Sequence, residues 1–188
     1  MYGKEKGFAI ISSKARWKRF CKWKRHPNYG TFENPIQLYS AVRHNQYDMV
    51  RQLLDQYDRE SIVQESLLFI GYFAGVKMLG LLLENGVNAN EQDDIGNTVL
   101  NYAAMENNIP AMELLLQHGA IIDIPNVHGE DAFSFACVWG KLEAAKYLHE
   151  HGSCMTWVRK NWDASIFEDS SHAPSREIRT FLKEINLF

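Results

Sequence analysis

The sequence predicts an all-α solenoid in which helix-turn-helix pairs stack on one another and short β-hairpin loops connect them. The main observation is a period of 33 residues, at which Gly86, Gly119 and Gly152 recur. Residues 96–120 and 129–153 align on this period without a gap. Leucines recur at the same spacing, at Leu82, Leu115 and Leu148. Such a period is typical of repeat proteins, in which each unit buries its apolar face against its neighbours.

Each unit has the sequence features of two consecutive helices. Thr98 and Asp131 are predicted to begin the first helix, because their side chains can accept hydrogen bonds from backbone N–H groups left free at a helix N-terminus. Asn107 and Gly140 then occupy the turn, since both residue types tolerate the left-handed conformation that ends helices. Pro110 is well placed in the first turn of the second helix. The period and the helix signals therefore agree.

The repeated residues resemble the ankyrin repeat. That family's pattern is a glycine, Thr-Pro-Leu-His, two alanines, three leucines and then Gly-Ala, and residues 96–120 follow most of it. The matching residues are Gly96, Thr98, Leu100, Ala103, Ala104, Leu114, Leu115, Leu116, Gly119 and Ala120. Residues 98–101 and 131–134 depart from the Thr-Pro-Leu-His tetrapeptide, so we expect its hydroxyl–imidazole network to be weaker here.

The register of the repeat predicts how the chain is divided. We expect a basic N-terminal arm or capping helix at 1–33, repeats at about 34–62, 63–95, 96–128 and 129–161, and a degenerate C-terminal cap at 162–188. Turns are predicted near Asn45, Ala74, Asn107, Gly140 and Ala173, a shortened first hairpin at 58–61, and full hairpins at 90–96 and 123–129. The last two helices are expected at 164–171 and 175–185.

Composition excludes several classes of protein. No run of eighteen apolar residues occurs, so no transmembrane helix is predicted. The N-terminal apolar patch at 8–11 is too short for a secretory signal. Three cysteines form no disulfide framework, which favours a reducing compartment such as the cytoplasm.

Charge separates the N-terminal segment from the rest of the chain. Residues 1–33 carry nine Lys or Arg against two Glu, whereas residues 34–188 carry eleven Lys or Arg against twenty-one Asp or Glu. Within this arm Trp17, Phe20 and Cys21 share one face of a predicted helix. Three interpretations stay open: the arm caps the first repeat, binds an anionic membrane surface, or contacts nucleic acid or directs localisation.

Residues capable of catalysis or metal binding are few. His149, His151 and Cys154 lie close in sequence, but the resemblance puts His149 at a leucine position, and His151 repeats the helix-end position of His118. Cys137 takes the place of a buried alanine. No phosphate-binding loop, paired carboxylates or nucleophile motif is present. We therefore expect no enzyme activity, cofactor, metal site or small-molecule substrate.

The resemblance implies that the chain binds another protein through a concave groove and the hairpin tips. The candidate contact residues are Tyr72, Phe73, Asp94, Ile95, Asn97, Met105, Glu106, Val127, His128, Glu130, Val138 and Trp139. Packing between neighbouring units is the competing interpretation for the aromatic members. The predicted function is a non-enzymatic adaptor. The alternatives are an effector of an intracellular bacterium or virus that acts on host proteins and, less favoured, the targeting part of an enzyme.

Overall fold

The computed structural model describes residues 34–56, 72–162 and 175–187. The chain divides into two compact units, residues 1–37 and 38–188, and only residues 34–37 of the first unit are described. The basic arm predicted at 1–33, the shortened hairpin at 58–61, the helix at 164–171 and the turn at Ala173 lie outside the described residues.

Paired helices make up the described part of the chain. They are α1 Asn34–Arg43, α2 Tyr47–Gln56, α3 Val76–Glu84, α4 Val99–Glu106, α5 Ile109–Gln117, α6 Ala132–Val138, α7 Leu142–Glu150, α8 Thr156–Asn161 and α9 Arg176–Glu184. Residues 72–74 are also helical and end at Gly75, just before α3. Strand-type pairing in the described residues is limited to one antiparallel bridge between Gln92 and Thr98. The predicted all-α architecture is confirmed.

The helix boundaries follow from the residues that the sequence singled out. The Thr98 side chain accepts a hydrogen bond from the Asn101 N–H at 3.2 Å, and the Asp131 carboxylate accepts one from the Ser134 N–H at 2.8 Å. At the other end of α4, Asn107 has a φ of 60° and takes the left-handed conformation. The predicted caps and the turn at Asn107 are therefore present.

The core is a continuous stack of the repeated apolar residues. Helix α4 packs against α5 and α6, and α7 packs against α6 and α9. Ala103 and Ala136 have no exposed surface, and their small size lets these helices approach closely. The repeated leucines Leu82, Leu115 and Leu148 are also fully buried. Each unit thus covers the apolar face of the next.

The C-terminal end departs from the 33-residue register. Residues 156–161 form helix α8, which the sequence did not predict. Trp157 lies against Gly129 of the preceding loop and contacts the buried Trp162 edge to face, with ring centroids 6.1 Å apart. Helix α9 lies within the predicted range 175–185 and buries Ile178 and Leu182 completely.

Within the residues described, no helix combines enough length with enough apolar character to cross a bilayer.

Candidate protein-binding surface

The predicted groove residues lie at the C-terminal ends of the first helices of successive repeats. Phe73 is 41% exposed, Val138 50% and Trp139 38%. Glu106 is exposed and Met105 is half-buried. Exposed apolar side chains that lie close together make this surface a candidate for binding. We call Phe73, Met105, Glu106, Val138 and Trp139 the groove surface.

Tyr72 does not belong to this surface. Its side chain is only 5% exposed, so the prediction that it faces the groove as a contact residue is wrong. The Tyr72 hydroxyl donates a hydrogen bond to Oε2 of Glu106 at 2.8 Å. Burial, reinforced by the bond to Glu106, raises the pKa of Tyr72, which keeps the hydroxyl protonated and donating. Tyr72 therefore holds the Glu106 carboxylate in position.

Phe73 is held by two tyrosines. Its ring meets the Tyr72 ring edge to face at 5.2 Å and the Tyr102 ring at 6.3 Å. Tyr102 is buried, and its hydroxyl donates a hydrogen bond to Oδ2 of Asp93 at 2.6 Å. Tyr102 therefore packs inside the protein and supports the ring of the exposed Phe73.

Two side chains organise the hairpin loops in the same way. Oδ1 of Asp93 accepts hydrogen bonds from the N–H groups of Ile95 and Asn97 at 3.0 and 2.9 Å. One period later, Oδ1 of Asn126 accepts from the N–H groups of His128 and Glu130 at 2.8 and 2.9 Å. The side chain folds each loop because Asx residues can replace a backbone turn. Both loops turn where the sequence predicted hairpins, but among the described residues only the first has strand pairing, the bridge between Gln92 and Thr98.

Further hydrogen bonds connect the two loops to each other. The Val127 N–H donates to the carbonyl of Ile95 at 2.9 Å, and Nδ2 of Asn126 donates to Oδ1 of Asn97 at 2.9 Å. The same Nδ2 also donates to Oε2 of Glu130 at 2.9 Å. The loops thus form one hydrogen-bonded edge of the stack, with limited freedom to move separately.

This network changes the interpretation of the predicted tip residues. Asp94, Val127 and His128 are exposed, and Ile95 and Glu130 are half-buried. Asn97 is only 3% exposed, so the prediction that it contacts a partner is wrong. Its side chain packs between the loops, where its amide hydrogen-bonds to Tyr102 and Asn126.

Sequence reasoning missed the role of Asn126 and the hydrogen bond between Tyr102 and Asp93. Asp93 and Asn126 occupy the same position of successive repeats, 33 residues apart. That equivalence, between two residue types that form Asx turns, was the available signal for Asn126. No comparable signal existed for Tyr102, because its partner Asp93 is brought to it only by the folded loop.

The histidines and cysteines considered for metal binding have separate structural contacts. The His151 ring stacks on Tyr147, with centroids 4.0 Å apart, and the His149 ring meets Phe181 edge to face at 5.9 Å. Cys137 is buried, and burial raises the pKa of its thiol. A hydrogen bond to Asp123 raises the pKa of the exposed Cys154 thiol. Across the described ranges, no three His, Cys, Asp or Glu side chains form a metal-binding group.

The geometry defines the class of the protein as a helix-pair repeat with an exposed apolar groove surface. A family model for ankyrin repeats matches residues 68–156, with three copies. The resemblance read from the sequence is thus confirmed over residues 68–156. Ankyrin repeats are generally non-enzymatic modules that bind other proteins.

Three relatives carry ankyrin repeats as well. The ankyrin repeat domain-containing protein SAT10 of Stachybotrys chartarum is 31% identical over 115 residues, which are 61% of this chain and 6% of that protein. Ankyrin repeat protein L92 of Acanthamoeba polyphaga mimivirus is 43% identical over 53 residues, 28% of this chain and 13% of its own length. An ankyrin repeat protein of Rickettsia bellii is 32% identical over 81 residues, 43% of this chain and 45% of its own length. The chain spans less than half the length of each.

Proposed function

We propose that this protein is a non-enzymatic adaptor that binds a partner protein on the groove surface. The observation that carries the proposal is the exposure of Phe73 on one repeat and of Val138 and Trp139 two repeats later, with the oriented carboxylate of Glu106 on the repeat between them. Aromatic side chains in such positions contribute most of the energy of protein interfaces, because they bury a large area for a small loss of entropy.

The hairpin edge supplies the second part of the proposed interface. Asp94, Val127 and His128 are exposed at its tips, while hydrogen bonds between the loops fix the backbone beneath them. A surface held in this way loses little entropy on binding. We assign the groove surface to affinity and the tips to specificity.

A pull-down from the cytosol of the source cell tests the proposal. The double substitution Phe73→Ala with Trp139→Ala is expected to lower recovery of the bound protein at least tenfold, because removing two hot-spot aromatics costs about 2 kcal/mol or more. Ile121→Ala is the matched control, since Ile121 is 59% exposed but lies outside the groove surface. Equal recovery by all three proteins would refute the proposed site.

A second candidate function is that of an effector acting on host proteins. Two of the relatives belong to Acanthamoeba polyphaga mimivirus and Rickettsia bellii, which favours this setting. Proximity labelling in infected cells, with the protein as bait, would test it. Labelling confined to proteins of the source organism would rule the effector role out.

The site of action and the basic arm complete the proposal. We place the protein in the cytoplasm, or in the host cytosol or nucleus if it is an effector.

The nine basic residues among 1–33 support a contact with anionic membrane or nucleic acid. Vesicles with and without phosphatidylserine, and a duplex DNA, provide the test. If the chain without residues 1–30 binds the vesicles or the DNA as well as the full chain does, the arm is not the binding segment.

A further inference from the structure

Glu106 lies between two exposed aromatic residues at the same position of the neighbouring repeats. Phe73, Glu106 and Trp139 are spaced at intervals of 33 residues. Stacked helices lie about 8–10 Å apart, so one repeat separates each of these side chains from the next. We call this row the inner ladder. It presents an aromatic ring, a carboxylate and another aromatic ring at the groove surface.

The Glu106 carboxylate is oriented and retains capacity to accept hydrogen bonds. The Tyr72 hydroxyl binds Oε2 at 2.8 Å, and an ionised carboxylate can accept further donors on both oxygens. Among the side chains that the structure describes, no Lys, Arg or His forms an ion pair with Glu106. The Glu106 carboxylate can therefore pair with a cation of a binding partner.

The charge of the central repeats favours a basic partner. Residues 78–140 contain nine Asp or Glu and no Lys or Arg. Lys77 directly precedes this stretch and Lys141 directly follows it. Seven of the nine acidic side chains, all but the buried Glu91 and Asp131, reach the surface, and their negative charge attracts a basic partner segment.

Arginine matches the inner ladder better than lysine. Its planar guanidinium can bind a carboxylate with two parallel hydrogen bonds and can also stack on aromatic rings. Both kinds of group are present here, since Phe73 and Trp139 flank Glu106. The apolar faces of these rings would contact apolar residues on either side of the arginine.

We propose that the groove binds an extended segment of a partner protein in which an arginine, flanked by apolar residues three positions away on each side, pairs with Glu106. This proposal rests on the proposed function of the groove surface. A polyproline II segment has three residues per turn and advances about 9 Å in that distance. Residues three apart therefore lie on one face at the spacing of the inner ladder.

Selection from a phage-displayed library of random 12-residue peptides tests the proposal. The baits are the full chain and its Glu106→Lys variant. The full chain is expected to enrich Arg with apolar residues three positions before and after it, and E106K is expected to enrich Asp or Glu at the central position. The reversal follows because like charges placed in contact repel.

Fluorescence anisotropy with a synthetic peptide from the selection then measures the pair directly. Glu106→Gln is expected to weaken binding about fivefold, as loss of a partly exposed ion pair does, and E106K more than tenfold. The peptide in which Glu replaces the central Arg should regain affinity for E106K. Unfolding midpoints of both variants close to that of the parent chain would establish that the fold is intact.

The possible failures can be told apart. The selected peptides could lose affinity for the double variant, Phe73→Ala with Trp139→Ala, and still bind E106Q and E106K normally. This result would overturn the arginine pairing and leave the groove function in place. Selected peptides whose affinity is unchanged in the double variant would contradict the groove function itself. Enrichment without any basic residue would also overturn the inference.

Discussion

At the scale of single residues, one asparagine holds the exposed edge of the repeats together. Asn126 accepts two backbone N–H bonds with Oδ1 and donates with Nδ2 to both Asn97 and Glu130. It is 7% exposed, so water cannot easily replace these partners. The candidate tip residues thus depend on a side chain that would not itself meet a partner.

Asn126→Ala is expected to lower the free energy of unfolding by about 2–4 kcal/mol. The reason is that the N–H groups of His128 and Glu130 and the buried amide oxygen of Asn97 lose their partner, and an unsatisfied buried group costs about 1–3 kcal/mol. Chemical denaturation monitored by circular dichroism measures the change. Ile121→Ala, an exposed position, serves as the control and should cost less than about 0.5 kcal/mol.

Asp131 gives the protein a defined dependence on pH. Burial raises its pKa, with a further contribution from Asp123, although the Ser134 N–H bond acts in the opposite direction. Because the native state binds this proton more tightly than the unfolded chain, the contribution of Asp131 to stability is greatest at low pH. It falls as the pH rises through the raised pKa.

Asp131→Asn should remove this dependence while preserving the helix cap, since Asn caps as well as Asp does. The unfolding free energy of D131N at neutral pH is expected within about 1 kcal/mol of the parent, and Asp131→Ala about 1–2 kcal/mol below it. Titrating stability against pH checks the sign. A parent-minus-D131N difference that grows as the pH rises would contradict it.

At the scale of elements, Asn107 connects two repeats as well as ending a helix. Its backbone takes a φ of 60° after α4, and its Oδ1 accepts the N–H of Ala144 at the start of α7, 37 residues away, at 2.9 Å. Asn90 and Asp123 make similar bonds from one repeat to the next, to the N–H groups of Ile121 and Cys154. Side chains of the turns therefore fix the register of the stack.

Two substitutions at Asn107 separate its two roles. Asn107→Gly keeps the left-handed backbone and loses only the bond to Ala144, so a cost of about 1 kcal/mol is expected. Asn107→Ala loses both and should cost about 2 kcal/mol. Equilibrium unfolding in urea measures both values. Equal stability of the two variants would show that the backbone conformation contributes little.

At the scale of the whole molecule, stability is distributed along the stack rather than held in one centre. Helix α7 contacts α6 on one side and α9 on the other, and the fully buried Leu148, Ile178 and Leu182 fill that end. Contacts of this kind link each unit to its neighbours. A defect at one end should therefore loosen that end first.

Ile178→Ala is expected to cost about 2–5 kcal/mol, the usual effect of a large-to-small change in a core. Hydrogen exchange should then rise most in α7 and α9 and least in α4, because α4 lies further along the stack. Leu115→Ala, a fully buried central change of similar cost, is the comparison and should raise exchange in α4 and α5. A rise in hydrogen exchange that is equal in all helices of both variants would show that the stack unfolds as one unit.

The sequence by itself determined the repeat, the helix pairs, the caps at Thr98 and Asp131 and the left-handed turn at Asn107, because these depend on local residue types and a fixed period. It also placed Phe73, Glu106 and Trp139 at equivalent positions. Only the tertiary structure decided that Tyr72 and Asn97 are buried, since burial depends on which loops and helices meet. Helix α8 escaped prediction for the same reason: the contact of Trp157 with Gly129 is made across the fold.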